Sequence, residues 1–342
     1  MIIGRMETAV SSVPMVSTRL SRQDILGSWK ARWGYKRMHY TVPPGLYAVG
    51  NPTHTSPVMV SANYKMSFDR LRKNLTGVNA WVLVLDTRGI NVWCAAGKGT
   101  FCAEEIAHRI EKTHLKEIVT HRTLILPQLS APGVAVHQLF RLSGFRALYG
   151  PVRAEDIQAY LANGKKATEE MRTVYFTLRD RLVLVPMEVV NLLRPVIAGL
   201  AALGVLKIFG ASIRGEEVIP VQMLSGIFTT AIPYLGAVAM GAVLVPALLP
   251  YLPGRSFAWK GWFLGVLWTV AYLLFTNQLP GRSDMAALLL ILPAISSYLA
   301  LNFTGASTYT SLSGVMKEIR MAKPLLISCV SLGVVFLVRG MF

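Results

Sequence analysis

The sequence predicts two domains of different kinds: an α/β domain of Rossmann-like type, followed by an all-α transmembrane domain of about five helices. Three observations lead there. The chain is too apolar for an ordinary soluble protein of its length, with 53% hydrophobic and 15% charged residues and a mean hydropathy of +0.44. The charge is unevenly spread, since 25 of the 35 Lys/Arg and 13 of the 18 Asp/Glu precede Pro186. Before about residue 168, short β-rich runs alternate with amphipathic stretches; beyond Pro186, long apolar stretches take over. These shifts divide the chain into an N-terminal extension (1–42), a cytoplasmic α/β domain (43–168), a linker (169–185) and a transmembrane domain (186–342).

In chain order, "PGLYAVG" opens the α/β pattern. "PVMVSAN" reads as a strand and "SFDRLRKNL" as a helix opened by Ser67. "WVLVLDT" is a buried strand, and "AEEIAHRIEKTHL" is a helix with acids first and bases later, as the helix dipole favours. "RTLILPQ", "GVAVHQLFRLS", "RALYGPV" and "RAEDIQAYLANG" repeat strand, helix, strand, helix. Such alternation predicts a parallel sheet wrapped on both faces, with ligand sites at the carboxyl ends of its strands.

A membrane span needs roughly 20 apolar residues. Five stretches qualify: "MEVVNLLRPVIAGLAALGVLKIF", "TTAIPYLGAVAMGAVLVPALLPYL", "FAWKGWFLGVLWTVAYLLF", "DMAALLLILPAISSYLAL" and "AKPLLISCVSLGVVFLV". The second is preceded by more apolar sequence from Val218. With the N-terminal domain inside, the inner loops carry Arg255, Lys260, Lys317, Arg320 and Lys323, and the outer ones only Arg214 and Arg282. The positive-inside rule thus predicts a multi-pass protein of the cytoplasmic (inner) membrane, surrounded by lipid, with its N-terminal domain in the cytoplasm and its C-terminus outside. "MIIGRMETAVSSVP" lacks the apolar core of a signal peptide, in keeping with an N-terminus that stays inside. Arg194, beside Pro195, reads either as an intramembrane functional group or as a side chain snorkelling to the surface. Neither the paired broken helices nor the intramembrane polar residues of a transporter stand out. The hydroxyl-rich tract Asn302 to Glu318 falls on the inner side and reads as a linker or as a docking element for the α/β domain.

The excess of basic residues in the first half has no interleaved aromatic stripe or nucleic-acid motif beside it, so no nucleic-acid partner is expected. Cys94, Cys102 and Cys329 form no CxxC pair, which argues against a disulfide framework and against a self-contained zinc or iron–sulfur site. His108, His114, His121 and His137 match no metal-ligand spacing. Cys102 and Cys329 read as packing residues.

The segment "NVWCAAGKGTF" follows the buried strand "WVLVLDT". It is not a phosphate loop: Gly89 stands too far before Gly97-Lys98, and Lys98 is followed by Gly rather than Ser or Thr. Nor does a G-x-S/C-x-G frame surround Cys94. Its small residues Ala95, Ala96, Gly97 and Gly99 would let backbone approach a large flat ligand closely. Asn91 is placed to cap a short helix with Cys94 in its first turn, an arrangement that in general favours a thiolate.

The run Asn91, Val92, Trp93, Cys94, Ala95, Ala96, Gly97, Lys98 matches at every position the signature of the corrinoid proteins of microbial mercury methylation, and the resemblance to that family extends over essentially the whole chain. "PVMVSANYKMSFD", with Ser61 and Asn63, and "LPQLSAPGV", with Gln128, Gly133 and Val134, also resemble segments of that corrinoid domain, which is itself similar to the large subunit of the corrinoid iron–sulfur protein of acetyl-CoA synthesis. The resemblance implies a base-off cobalamin whose cobalt takes Cys94 as lower axial ligand, with Asn91 to Lys98 forming a cap helix under the corrin. Cys94 is then the catalytic residue, and Ser61, Asn63, Gln128, Gly133 and Val134 are binding residues around the cofactor. Related sequences carry Thr where this chain has Ser61, which keeps the hydroxyl. Lys98 either pairs with a cofactor amide or is solvated. No DxHxxG motif for a histidine lower ligand is present.

The acceptor that the resemblance implies explains why a thiolate would be wanted. Hg(II) is an electrophile, so methyl must reach it with one or two electrons, as a radical or carbanion equivalent, and a soft anionic donor opposite the Co–C bond pushes density outward. The resemblance further implies a separate ferredoxin-like iron–sulfur electron donor and a methyl-donor protein or methyl-folate system. Two other classes stay open on the residues: a membrane-anchored corrinoid methyl carrier of one-carbon metabolism with another acceptor, and a membrane transport or binding protein whose α/β domain senses a ligand.

Overall fold

A computed structural model of the protein describes residues 1–213, 215, 220–276, 280–310 and 312–340. The chain divides into two compact units, Met1–Tyr175 and Phe176–Phe342.

The first unit is a seven-stranded sheet with helices on both faces. Its elements are β1 (Ile2–Glu7), β2 (Ser12–Val16), α1 (Arg22–Arg32), β3 (Gly45–Val49), β4 (Val58–Ala62), α2 (Lys65–Lys73), β5 (Ala80–Leu85), α3 (Val92–Gly97), α4 (Ala103–Lys112), α5 (Leu115–Ile118), β6 (Thr123–Leu126), α6 (Val136–Ser143), β7 (Arg146–Tyr149), α7 (Ile157–Ala162) and α8 (Glu169–Arg172). The strand order is β1-β2-β3-β5-β4-β6-β7. Residues 1–42 contribute two of these strands and a helix.

The sheet is mixed, which corrects the expectation of a wholly parallel one. β5, β4, β6 and β7 run parallel, but β3 lies antiparallel to β5, and β1 antiparallel to β2. The cause is the connection after β3. Residues 50–57 form no helix, and a parallel return needs a crossover of about a dozen residues or more. The chain therefore reverses, and β5 inserts between β3 and β4. β4 and β5 are buried along their whole length, as their unbroken apolar runs require of strands covered on both faces. One face packs Leu83, Leu85, Ile106, Leu139 and Phe145 into a core, and the other packs Val82, Val84, Phe68, Leu75 and Tyr160.

Helix α2 begins at Lys65, not at Ser67. Tyr64 is its cap residue, because it is tied down by an antiparallel bridge to Thr41 and the Lys65 amide donates to the Tyr40 carbonyl at 2.9 Å. In the parallel part of the sheet the chain runs from β4 outward to β5 and then returns to the other side of β4 as β6. That reversal opens a crevice at the carboxyl ends of β4 and β6, the place where open α/β sheets bind ligands.

The second unit is helical: α9 (Leu178–Leu182), α10 (Val185–Ile213), α11 (Pro220–Ala239), α12 (Val245–Leu248), α13 (Phe257–Phe275), α14 (Arg282–Asn302) and α15 (Leu312–Arg339). Five helices among the described residues are long and apolar enough to cross a membrane: Leu178–Ile213, Thr229–Leu248, Phe257–Phe275, Arg282–Gly305 and Ser313–Arg339. The second passes through a π turn at Met240–Leu244. Helix α14 is the hub, and three other helices bring glycines against it. A Cβ on Gly241 would lie 2.5 Å from the Ser296 carbonyl, one on Gly265 2.5 Å from the Pro293 Cα, and one on Gly333 2.5 Å from Ile291. Small residues that let backbones close up in this way are the usual basis of helix packing in a bilayer.

Several charges expected in loops lie within helices. Lys260 is in α13, buried, with Nζ donating to the Leu249 carbonyl at 2.5 Å. Lys317, Arg320 and Lys323 are in α15, and Arg282 opens α14. The hydroxyl-rich tract is therefore helix from Leu312 onward. Its Glu318 accepts from the Ser256 hydroxyl and the Ala258 amide, both at 2.7 Å, and so caps α13. Arg214 and Ser311 lie outside the described residues.

Candidate functional site

The signature segment forms α3, a six-residue helix on the loop that leaves the carboxyl end of β5. A helix this short does not hold itself together, and three local devices hold this one. Asn91 caps it, with Oδ1 accepting from the Cys94 amide at 2.9 Å. The chain after it folds back, so that the amides of Thr100 and Phe101 donate to the Ala95 carbonyl at 3.0 and 3.2 Å. Its inner side packs into the sheet's core through buried Ala95 and Ala96 and partly buried Val92.

The outer side of α3 is open. Cys94 is exposed, Trp93 is 41% exposed, and Gly97, Lys98 and Gly99 are exposed beside them. A Cβ on Gly97 or Gly99 would meet nothing within 4 Å. This is a thiol on a step of small residues with unobstructed space over it. A planar macrocycle with a soft metal at its centre fits such a surface, because Gly97 and Gly99 leave space beside the thiol. Cys102, by contrast, is partly buried, and burial pushes its thiol up from the ordinary value, as suits a packing residue.

Asn63 lies at the carboxyl end of β4 and organises the approach to α3. Its Oδ1 accepts from the Thr87 hydroxyl at 2.9 Å, the Gly89 amide at 3.0 Å and the Thr87 amide at 3.2 Å, while Nδ2 donates to Asp86 at 3.3 Å. Gly89 has φ +72, and a Cβ there would sit 2.5 Å from the Met38 carbonyl, so glycine is needed both for the backbone and for the close approach. Ser61 is buried, with its hydroxyl donating to the Ala62 carbonyl at 3.2 Å.

The third segment comes from the far side of the crevice. Gln128 begins a 3-10 turn, Gln128–Ser130, that packs against α3. Gly133 backs directly onto α3: a Cβ there would lie 2.6 Å from the Ala96 Cα and 2.7 Å from the Phe101 carbonyl. Val134 is buried in the core, and its carbonyl accepts from the Tyr149 hydroxyl at 3.1 Å. The structure thus brings all three segments to one edge of the sheet, with two kinds of residue. Trp93, Cys94, Gly97 and Lys98 face outward, whereas Ser61, Asn63, Ala96, Gly133 and Val134 hold that surface from behind.

Two supports were not foreseen from the sequence. Thr87 is fully buried and its hydroxyl shares its one proton between the Ile90 carbonyl at 2.7 Å and Asn63 Oδ1, closing the loop. Glu105, in the first turn of α4, accepts from the Asp86 amide at 2.8 Å and pairs with Arg109 at 2.6 Å. The D-T-R-G string after β5 is the turn signal that marks Thr87. Among the described residues, no group of three or more His, Cys, Asp and Glu side chains is placed to hold a metal ion. His121 has a structural part, with Nε2 2.9 Å from the Ser56 carbonyl.

The match to a known family falls within this unit. Residues 35–161 match the family described as the CO dehydrogenase/acetyl-CoA synthase delta subunit. Among characterised proteins, the gamma subunit of the acetyl-CoA decarbonylase/synthase complex of Archaeoglobus fulgidus is 32% identical over 124 residues, 35% of this chain and 26% of that subunit. The gamma 2 subunit from Methanosarcina thermophila is 34% identical over 122 residues, 34% of this chain and 25% of its own. The gamma subunit of Methanothermobacter thermautotrophicus is 32% identical over 127 residues, 36% of this chain and 27% of its own. The chain therefore spans about a quarter of the length of these relatives, subunits of the acetyl-CoA decarbonylase/synthase complex, and its Cys94 surface lies within the segment that is similar to the CO dehydrogenase/acetyl-CoA synthase delta subunit family.

Proposed function

We propose that the chain is a membrane-anchored, corrinoid-dependent methyltransferase that delivers a methyl group to Hg(II), forming methylmercury. The observation that carries this reading is the exposed Cys94 thiol on α3, set within an eight-residue segment that matches the mercury-methylation signature throughout. The match of residues 35–161 to the CO dehydrogenase/acetyl-CoA synthase delta subunit family, together with the similarity of the chain to acetyl-CoA decarbonylase/synthase gamma subunits, supports a corrinoid domain, and the five long apolar helices support a membrane anchor.

Bound cobalamin, base-off, would supply the methyl group and a redox-active cobalt. Cys94 is the residue that would hold the metal, as a thiolate. Asn91 fixes where that sulfur points by capping α3. Gly97 and Gly99 leave room for the macrocycle, and Trp93 offers an apolar face beside it. Asn63, through the loop of Thr87 and Gly89, and Gly133, against Ala96, support α3. Electrons come from a ferredoxin-like iron–sulfur partner, methyl groups from a methyl-donor protein or methyl-folate system, and the α/β unit works on the cytoplasmic side.

The test is an anaerobic assay of the full chain in membranes with methylcobalamin, a reduced ferredoxin and Hg(II), comparing wild type with Cys94→Ala, together with the visible spectrum of the bound corrinoid. Methylmercury from wild type alone, with a changed spectrum in the variant, is expected. Full activity of Cys94→Ala would refute the role of the thiol. A second reading, a membrane-anchored corrinoid methyl carrier with another acceptor, is favoured by the kind of complex in which the relatives are subunits. Corrinoid binding without methylmercury would select it.

A further inference from the structure

Helix α1 is folded inside out. Its inward side is small and polar: Asp24 and Ala31 are buried, and Gly27 lies so close to the Tyr40 ring that a Cβ there would be 2.6 Å from it. Its outward side carries Ile25, Leu26, Trp29 and Trp33, all exposed, with Trp29 at 63%. At helical spacing these four form one apolar stripe about 100° wide. Lys30 flanks it on one edge and Arg32 on the other, with Arg22 at its start. The exposed stripe continues past the helix through Tyr35 and Met38, beside Lys36 and Arg37. From Arg19 to His39 the sole acid is Asp24, and it is held inside by Lys65 at 2.5 Å and Arg72 at 2.9 Å.

A soluble surface rarely leaves two tryptophans and two large aliphatic residues side by side. An apolar stripe rimmed only by Lys and Arg, with Trp in it, is the pattern of a helix lying in the plane of a membrane surface, with its rings among the headgroups and its bases on anionic lipid. We propose that α1 and the segment following it, to Met38, dock the α/β unit on the anionic leaflet of the bilayer that holds the second unit. The choice of lipid over a protein partner rests on charge. Every exposed ionic group of residues 19–39 is cationic, and the chain carries five long apolar helices of its own among the described residues. The proposal rests on reading those helices as spans, and is independent of the corrinoid chemistry.

The docked segment also touches the candidate site. Met38 presents its carbonyl to Gly89, and Thr41 bridges Tyr64. A leaflet contact along α1 would therefore hold the unit by the piece that buttresses the loop leading to Cys94.

The experiment is hydrogen–deuterium exchange of the full chain in nanodiscs of phosphatidylcholine alone or mixed with phosphatidylglycerol. Co-migration with the disc tests the span reading separately; a chain that stays outside the disc overturns that reading and the proposal with it. In mixed discs the amides of 22–38 are expected to exchange several-fold more slowly than in neutral discs, and the difference should shrink at high salt. Lys30→Glu with Lys36→Glu should remove it, about fivefold per charge, and Trp29→Ser with Trp33→Ser should abolish it. Unchanged exchange in β4 and β5 shows that the variants are folded. Equal exchange in both discs overturns the proposal. Protection that is independent of lipid charge and salt does so too, and assigns the stripe to a protein contact instead.

Discussion

Cys94 owes its exposure to its neighbours. Ala95 and Ala96 turn inward and Asn91 takes up the Cys94 amide, so the thiol is left on the outer side of a helix that would not form alone. Asn91→Ala removes a cap worth ~1 kcal/mol, and amide exchange at Cys94 and Ala95 is expected to quicken about fivefold, with Asn91→Asp restoring it. Exchange unchanged in Asn91→Ala would mean that packing alone holds α3. Gly133 and Gly97 make a matched pair. A methyl at Gly133 meets backbone at 2.6 Å, which cannot give way as a flexible side chain would, so Gly133→Ala should cost about 1–3 kcal/mol in thermal or denaturant unfolding. At Gly97 the same methyl points into open space, and Gly97→Ala should leave stability unchanged or raise it by up to about 1 kcal/mol. If Gly97→Ala nevertheless lowers corrinoid affinity, the lost room is the cause.

Among the elements, the attachment of α1 to α2 rests on buried charge. Arg72, fully buried, donates to Asp69 at 2.7 Å, Asp24 at 2.9 Å and the Arg19 carbonyl at 3.1 Å, and also to the Ser17 carbonyl. Lys65 bridges the same two carboxylates. Burial by itself would raise the Asp24 pKa, but hydrogen bonds from Lys65 and from the Ser21 amide and hydroxyl outweigh it and hold the carboxyl well below its usual range. A folded-state pKa below the unfolded value of about 4 means that this stabilisation is fully present above that pH and fades as the pH falls further. Stability measured from pH 6 downward should therefore decline below about pH 4 in wild type, and less steeply in Asp24→Asn. Identical slopes would show that other acids dominate. The sequence revealed part of this architecture. β4, β5 and β6 were legible because strands buried on both faces are unbroken apolar runs, and the long apolar helices for the same reason. The partners of β3 were not, since antiparallel pairing with β5 depends on a loop too short to cross over. α1 was not read either, because its apolar residues face outward and its inward side is polar. At the site, the Asn91–Lys98 signature pointed to the surface, but which of its companions face outward and which hold it from behind depends on Asn63 and Gly133, whose contacts come from distant parts of the chain.

On the scale of the whole molecule, the two units have different means of support: sheet and ion network in one, close helix contacts in the other. Gly261 and Gly265 of α13 face the backbone of α14, where a Cβ would lie 2.5 Å from the Ser296 carbonyl and the Pro293 Cα respectively. Gly261→Leu should lower the unfolding temperature of the helical unit in detergent while leaving near-ultraviolet signals and amide protection of the α/β unit in place. Loss of both together would show that the units melt as one. The first unit has another problem to solve, which its sheet order makes visible. The segment that matches the CO dehydrogenase/acetyl-CoA synthase delta subunit family starts at residue 35, after β1 and β2, and without that hairpin β3 would form the sheet's margin. The hairpin meets β3 through the single register pair Met15↔Ala48, while its own two strands pair along their length. It acts less as part of the scaffold than as a guard: it covers the hydrogen-bonding groups of a buried strand that would otherwise recruit strands from other chains, and turns outward β1, which bears Arg5 and Glu7. Shortening the chain past Val16 should accordingly show itself first as self-association of the α/β unit.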